Sequence, residues 1–265
     1  MGVVNATPDS FHAPSRQAEA EEAIEHGRQL ARDGADILDI GGESTRPGAE
    51  PVLAGVEAER VLPVVGGLRA HCPDVLISVD TYKSSVARLA VQAGATIVND
   101  VSGGLLDPDM PRAVAESGAY VIVGHIRGTP ATMREAPGYD DVVAEVAAEL
   151  RERMQAFLAA GVPEERIWVD PGFGFGKRAS ASRELLFGLR GLASLGLPVV
   201  IGVSRKSFLG EALRRAGLDD DGTEGRLEAS LAAAVLAAER GAVLVRTHDV
   251  APTRRALAVL DGAAH

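Results

Sequence analysis

Two kinds of hydrophobic pattern alternate along the chain. Short runs rich in β-branched residues predict strands, and longer stretches with apolar residues every three or four positions predict helices. The clearest helical stretches are Ala18–Arg32, Val56–Ala70 and Val142–Ala160. The predicted strands are Gly2–Asn5, Asp36–Ile40, Val75–Asp80, Thr96–Asp100, Tyr120–His125, Arg166–Asp170, Pro198–Val203 and Ala242–Thr247. Runs such as ILDI and VVIGV are nearly all apolar, as parallel strands covered by helices must be.

A weak repeat supports the alternation. The same pair of small residues closes a predicted helix and opens a predicted strand at Gly34-Ala35, Gly94-Ala95, Gly118-Ala119 and Gly241-Ala242. Glycine suits the left-handed position just beyond a helix C-terminus. Eight strand-helix units in 265 residues average about 33 residues each, close to the usual size of such a unit. We therefore predict a (β/α)₈ TIM barrel forming a single domain over residues 1–265, with a doubly wound open sheet as the alternative.

The charge and composition of the chain limit the classes of partner that it can bind. The chain is 46% hydrophobic and carries a formal net charge of −10, which argues against nucleic acid or an anionic membrane as the partner. One cysteine, Cys72, allows neither an internal disulfide nor a cysteine-based metal cluster. No apolar run approaches the length of a membrane span, and MGVVNATPDSF does not resemble an export signal. A cytoplasmic location is expected.

Polar residues collect where the predicted strands end. The strand ends carry, in chain order, Asn5, GGESTRPG, Asp80-Thr81, Asn99-Asp100, His125, DPGFGFGK, SRKS and Arg246-Thr247-His248-Asp249. In a barrel the carboxyl ends of all strands meet on one face, where active sites lie. A single aspartate after a strand is commonly a helix cap or a turn residue, and that reading stays open for Asp80 and Asp100. The whole set, however, would be costly to desolvate without a ligand or mutual pairing.

These strand-end residues fall into two chemical sets. Carboxylates and an amide suited to the edge of a planar nitrogen heterocycle are Asp80, Asn99 and Asp170. Donors and cations suited to an oxyanion such as phosphate are Arg46, Lys206, Arg246 and His248. Asn5 offers an oxygen to Mg²⁺ bound through pyrophosphate, since this ion takes few protein ligands.

Two glycine- and serine-containing segments need separate interpretation. GFGFGK (172–177) has neither the spacing of a phosphate-binding P-loop nor that of a dinucleotide fingerprint. Its glycines indicate a loop that lets Phe175 lean over a flat ligand, or simply a flexible loop with hydrophobic anchors. In SRKS, Arg205 and Lys206 stand at a predicted helix N-terminus, where cations are disfavoured, so we expect an anion to compensate them.

The blocks at the strand ends resemble the dihydropteroate synthase family over nearly the whole chain. The matching blocks are NATPDSF (5–11), GGESTRPG (41–48), SVDT (78–81), IVND (97–100), EAPGYDDVVAEV (135–146), DPGFGFGK (170–177), GVSRKS (202–207) and VRTHDV (245–250). The resemblance implies condensation of 6-hydroxymethyl-7,8-dihydropterin diphosphate with 4-aminobenzoate to give 7,8-dihydropteroate and pyrophosphate, a step of folate biosynthesis.

The resemblance also implies roles for individual positions. The pterin would be held by Asp80, Asn99, Asp170 and Lys206. Pyrophosphate and Mg²⁺ would be handled by Asn5, Arg46, Arg246 and His248, with Asp9 joining Lys206, Arg246 and His248 as catalytic residues. The aminobenzoate, whose place sulfonamide drugs take in relatives, would lie against Phe11, Thr45, Pro47, Phe175 and Ser207. A homodimer formed by helices around 183–194 and 224–240 is implied as well.

One departure keeps other readings open. The family commonly continues its first loop as SFSDGG, whereas this chain reads SFHAPSRQ, with Ala13 where an acid is usual. A non-catalytic pterin-binding paralogue is therefore one alternative. A pterin-dependent methyltransferase is another, although it has no need for the cations of STRPG, SRKS and RTHD.

Overall fold

The computed structural model describes residues 1–7, 13–135, 138–220 and 222–261. Its strands are β1 (Gly2–Asn5), β2 (Ile37–Gly41), β3 (Leu76–Asp80), β4 (Ile97–Asp100), β5 (Tyr120–Gly124), β6 (Ile167–Asp170), β7 (Val199–Ile201) and β8 (Ala242–Val245). Its α-helices are α1 (Ala13–Arg32), α2 (Ala54–His71), α3 (Ser84–Gln92), α4 (Met110–Ser117), α5 (Val142–Ala159), α6 (Ala179–Phe187), α7 (Ser207–Arg215), α8 (Leu227–Glu239) and α9 (Val250–Asp261). Strand and helix alternate as the hydrophobic pattern predicted.

The eight strands form one parallel sheet in chain order. A parallel bridge pairs Gly2 with Thr247, and the Val3 amide donates to the Thr247 carbonyl at 3.1 Å. This contact brings the end of the β8 segment back to β1 and closes the sheet into the predicted (β/α)₈ barrel.

The helix-to-strand junctions follow the repeat of small residues. Gly34, Gly94, Gly118 and Gly241 all adopt positive φ, between 69° and 117°. A side chain in that region is strained, so glycine lets each helix stop and the chain reverse into the next strand. The prediction made from the Gly-Ala pairs is confirmed at all four junctions.

The core has two parts. The larger cluster lies between the barrel wall and the surrounding helices and includes fully buried Leu38, Leu68 and Phe157. The smaller cluster plugs the barrel with Met1, Ile37, Ile97, Ile122 and Val200, at or near the strand starts. Burying each such side chain contributes about 1.5–3 kcal/mol. Because the plug occupies the amino-terminal end, the barrel interior is left for polar residues only at the carboxyl end.

None of the helices within the described ranges is long and apolar enough to cross a membrane.

Candidate active site at the carboxyl ends of the strands

A cavity opens at the carboxyl face of the barrel, with an empty volume of about 400 Å³ that includes the solvent at its mouth. It is lined by residues from or following seven of the eight strands: Thr45, Asp80, Asn99, Val101, Gly124, His125, Asp170, Gly172, Phe175, Gly202, Lys206 and Arg246. The register explains the convergence, since Asp80 pairs with Asn99 and Gly124 pairs with Asp170 at the ends of their strands.

A buried carboxylate that the sequence reasoning missed organises the base of this cavity. Asp39 on β2 is fully buried, and its Oδ2 accepts from Arg246 Nε at 2.6 Å and from Asn99 Nδ2 at 3.0 Å. Arg246 Nη2 also donates to Asp80 Oδ2 at 2.7 Å. One acid thus fixes an arginine and an amide from opposite parts of the chain. An aspartate inside the otherwise apolar strand ILDI was the available signal, because a buried charge requires partners.

The electrostatics of this group follow from its burial. Desolvation alone would disfavour the charged guanidinium, but Asp39 and Asp80 outweigh it and raise the pKa of Arg246 above its usual value. Burial raises the pKa of Asp80 to about 7, with Arg246 opposing the shift. The bonds to the two acids use two of the five N–H donors of Arg246. Asp80 does not cap α3, whose N-cap is Lys83, so the helix-cap reading of Asp80 is wrong.

Lys206 and Asp170 bring one positive and one negative side chain to the same cavity. Lys206 Nζ donates to the Phe173 carbonyl and lies 4.6 Å from the centroid of the Phe175 ring. Burial lowers the pKa of Lys206 to about 8, and Asp170 opposes that shift. Burial likewise raises the pKa of Asp170, against the effects of Lys206 and the Gly172 amide, which donates to Asp170 Oδ1 at 2.7 Å.

His248 lies two residues after Arg246 and is held by Ser204, in the segment that follows β7. Its backbone amide donates to Ser204 Oγ at 3.2 Å, and its Nδ1 lies 3.0 Å from the same hydroxyl. Burial lowers the pKa of His248 to about 4, and the neighbouring positive charge of Arg246 adds to the effect. The ring is therefore neutral at physiological pH and acts there as a hydrogen-bonding group.

The arginine of SRKS has its anion within the protein. Arg205 Nε and Nη2 bind Asp249 Oδ2 and Oδ1 at 2.9 and 2.7 Å, and Nη1 pairs with Glu224. This bidentate pair satisfies the guanidinium. The expectation that an anion compensates these cations is therefore confirmed for Arg205, whose anions belong to the protein itself, whereas Lys206 faces the cavity.

The loop after β2 is hydrogen-bonded to the protein near its start, at Glu43, and is exposed to solvent further along, at Arg46 and Pro47. Glu43 accepts from the Tyr82 hydroxyl at 2.6 Å. Thr45 lines the cavity, but Arg46 and Pro47 are exposed. The structure thus brings Thr45 to the deep residues and leaves Arg46 and Pro47 at the mouth.

The remaining predicted residues lie at the rim or beyond the described ranges. Asn5 ends β1 and is exposed, and Ser207 is the exposed first residue of α7. Asp9 and Phe11 fall outside the described residues. Asp100 accepts from the Ser102 and Gly104 amides at 2.8 and 2.6 Å. The turn-stabilising reading of Asp100 is therefore confirmed.

A larger, more open depression lies outside the barrel. It is lined by Gly103 after β4, Arg127 after β5, and Glu149 and Arg153 on α5. Arg153 donates to two backbone carbonyls, and Arg127 Nε donates to Glu149 Oε1 at 2.9 Å. These charges are satisfied by protein partners, so the cavity at the barrel mouth is the candidate active site.

Comparison with known proteins gives a consistent result. The family model described as "Pterin binding enzyme" matches residues 1–248. The dihydropteroate synthase of Escherichia coli K12 is 42% identical over 261 residues, 98% of this chain and 90% of that protein. That of Mycobacterium leprae is 42% identical over 266 residues, 100% of this chain and 93% of that protein.

Solved structures of relatives superpose along the whole barrel. The Xanthomonas albilineans dihydropteroate synthase with 4-aminobenzoic acid matches with a TM-score of 0.89 and 46% identity, covering 99% of this chain and 92% of that one. The same organism's enzyme in complex with 7,8-dihydropteroate matches with a TM-score of 0.86 and 43% identity, again covering 99% and 92%.

Proposed function

The chain belongs to the dihydropteroate synthase family of pterin-binding enzymes, and from this premise we propose the reaction that it catalyses. It joins 6-hydroxymethyl-7,8-dihydropterin diphosphate to 4-aminobenzoate, giving 7,8-dihydropteroate and pyrophosphate in folate biosynthesis. The observation that carries the proposal is the single cavity in which Asp80, Asn99, Asp170, Lys206 and Arg246 meet. The methyltransferase alternative is not favoured, because the relatives matched are synthases.

The base of the cavity suits the pterin. The carboxylate of Asp170 accepts hydrogen bonds from an amino-pyrimidinone edge, and the Asn99 amide offers both a donor and an acceptor. Lys206 supplies a donor to a ring nitrogen or carbonyl oxygen. Since Asp39 already fixes Asn99 and Arg246, this half of the site is preorganised, which reduces the entropic cost of binding.

The chemical step depends on stabilising the leaving group. The bond between the pterin methylene carbon and a pyrophosphate oxygen breaks, and its electron pair leaves with pyrophosphate. The positive charge on the methylene is delocalised into the electron-rich dihydropterin. The amine nitrogen then bonds to the methylene carbon and loses a proton. Arg246, Arg46 and His248 are the groups that bind the developing pyrophosphate charge, an electrostatic contribution to catalysis.

The amine half of the site lies nearer the mouth. Thr45 and Phe175 border the cavity, and the N-terminus of α7 at Ser207 offers backbone donors and a dipole for the aminobenzoate carboxylate. Pro47 and Phe11 complete this group in the proposal. Their shared task is to hold the weakly basic amine in line with the departing pyrophosphate and to exclude water.

Mg²⁺ fits this site as an ion carried by the substrate. The described residues contain no group of three histidine, cysteine or acidic side chains that would hold a metal, and Asn5 presents one exposed amide at the end of β1. Mg²⁺ is commonly held by one or two protein ligands together with phosphate oxygens and water. When bound, it neutralises negative charge on pyrophosphate.

Three wider features belong to the same proposal. The single domain over 1–265 and the cytoplasmic location remain predictions from the sequence. A homodimer through segments 183–194 and 224–240 is supported by Phe187, a large apolar residue on α6 whose surface is 58% exposed. Sedimentation equilibrium of the purified chain tests the dimer, and a Phe187→Asp variant should shift the mass to that of a monomer.

The test of the function is a coupled assay for pyrophosphate release with Mg²⁺. We expect release only when the pterin diphosphate and 4-aminobenzoate are both present. Tight pterin binding without any condensation would instead identify a non-catalytic paralogue, the outcome suggested by Ala13 and the altered first loop.

A further inference from the structure

The loop that follows β6 is held by a buried ammonium that the proposed chemistry does not use. Lys177 ends the DPGFGFGK block and is 9% exposed. Its Nζ lies 2.7 Å from His125 Nδ1, 3.0 Å from the Gly172 carbonyl and 3.2 Å from the Phe175 carbonyl. These three acceptors match the three N–H donors of a charged lysine.

The hydrogen bonds fix the protonation of the group. His125 Nε2 lies 3.0 Å from Glu149 Oε2. The hydrogen bond from His125 lowers the pKa of Glu149 to about 2, so this carboxylate accepts and Nε2 must carry the proton. Nδ1 is then a lone-pair acceptor, and Lys177 must donate to it. Burial lowers the pKa of His125 to about 3 and that of Lys177 as well, yet only the ammonium satisfies all three of its neighbours.

The outer end of this chain of contacts is anchored on α5. Arg127 Nε donates to Glu149 Oε1 at 2.9 Å, and the Arg127 guanidinium stacks 3.8 Å from the centroid of the Tyr139 ring. Arg127 also bonds to Glu145 Oε2 at 2.6 Å. Arg127 thus links Glu149, whose carboxylate orients His125, to Glu145 one turn earlier on the same helix.

At its other end, this chain of contacts reaches the cavity through the backbone of the 172–177 loop. A Cβ on Gly172 would lie 1.9 Å from the His125 carbonyl oxygen, and one on Gly176 would lie 2.6 Å from the Arg127 carbonyl oxygen. Both glycines have positive φ, 68° and 64°. The loop is thus pressed against the end of β5, and Lys177 binds the two carbonyls that flank its turn. Phe175, whose carbonyl is one of them, borders the cavity.

We propose that Lys177, His125 and Glu149 form a positioning network that sets the 172–177 loop, and with it the Phe175 ring, for the aminobenzoate. The proposal rests on the proposed function. None of the three side chains supplies a proton or a charge to the reaction. The Asp170 main chain is held by the β5–β6 ladder, where the His125 amide donates to its carbonyl at 3.0 Å, and the Asp170 side chain meets the loop through the bond from the Gly172 amide to Oδ1. The network therefore governs the amine half of the site more than the pterin half.

The test compares Lys177→Met with Val146→Ala, a core truncation on α5 that removes none of the hydrogen bonds described above. For Lys177→Met we expect the KM for 4-aminobenzoate to rise roughly tenfold, because two loop carbonyls lose their donor. The Kd for the pterin, measured by calorimetry without amine, should change less than about threefold. Glu149→Gln, which keeps an acceptor for His125, should show a smaller rise in KM. Val146→Ala should lower only the melting temperature.

Hydrogen exchange provides a readout that needs no turnover. The amides of 172–177 should exchange faster in Lys177→Met than in the parent or in Val146→Ala. An unchanged KM and unchanged exchange, with only the melting temperature reduced, would overturn the proposal. An equal rise in the pterin Kd would also overturn it. If the parent released no pyrophosphate, the proposed function would fail, and the exchange measurement alone would decide whether Lys177 sets the loop.

Discussion

The base and the mouth of the cavity differ in how they are built. At the base, Asp39, Asp80 and Asn99 stand on strands, Arg246 directly follows β8, and hydrogen bonds join the four side chains. At the mouth, Arg46, Pro47, Asn5 and Ser207 stand on loops or element ends and are exposed. Sites carried by strands are held more firmly than sites carried by loops. The base of the cavity is therefore assembled before any ligand binds, whereas under the proposed function the mouth is completed by its ligands.

Removal of the shared carboxylate is expected to have the largest effect. Asp39→Ala leaves a buried arginine and amide without their acceptor, so the free energy of unfolding should fall by about 3 kcal/mol. Chemical denaturation measures the loss, and the exposed Asp36 at the approach to the same strand provides the matched Asp36→Ala control. Equal losses for the two variants would contradict a linking role for Asp39.

Lys206 should affect binding and not folding. Lys206→Ala removes a charged donor from the cavity, and hydrogen bonds to charged groups contribute about 1.5–3 kcal/mol. The Kd for the pterin, measured by calorimetry, should therefore rise about 10- to 100-fold. The melting temperature should stay close to that of the parent, since burial of the charge itself has a cost. A collapse of folding in this variant would show that the lysine is structural.

The same lysine predicts opposite pH trends for binding and stability. Burial lowers its pKa to about 8 from a usual value of 10.5, so the ammonium is present below about pH 8 and is lost above it. The Kd for the pterin should therefore rise above pH 8. The unfolded chain keeps the proton up to about pH 10.5, so the contribution of this group to stability should rise across that window. Calorimetry and denaturation from pH 7 to pH 10 check both trends, and Lys206→Met should abolish them. A Kd that is constant through this range would contradict the assignment.

The smallest effect is expected at the mouth. Arg46 is exposed, and exposed ion pairs contribute about 0.2–1 kcal/mol. Arg46→Ala should therefore raise the KM for the pterin diphosphate about two- to fivefold and weaken its salt dependence. Binding of the pterin without its diphosphate should not change. Arg215→Ala, an exposed arginine at the end of α7, serves as the control. A loss as large as that of Lys206→Ala would place Arg46 at the base and not at the mouth.

The barrel could be predicted because the strand periodicity and the helix periodicity are each visible within short segments of the sequence. The predicted strand starts agree with the structure to within one residue, and the largest differences, of two residues each, are at the ends of β7 and β8, which stop at Ile201 and Val245. The convergence of Asp170, Lys206 and Arg246 also follows from topology alone, since the carboxyl ends of the strands share one face.

Pairing between side chains was not predictable in the same way. Asp39 belongs to a strand pattern that is otherwise apolar, and the partners of Arg205, Glu224 and Asp249, lie 19 and 44 positions away in the chain. Lys177 ends the DPGFGFGK block, but its contact with His125 joins two loops that lie 52 positions apart in the chain. Such contacts are set by tertiary geometry, which a periodic pattern does not encode.

The most direct test of a preassembled base is a calorimetric titration of the parent chain with the pterin in the absence of 4-aminobenzoate. A one-to-one complex that forms without the amine, and that Lys206→Ala weakens about 10- to 100-fold, is the predicted result. Binding that appears only after the amine has been added would contradict the account.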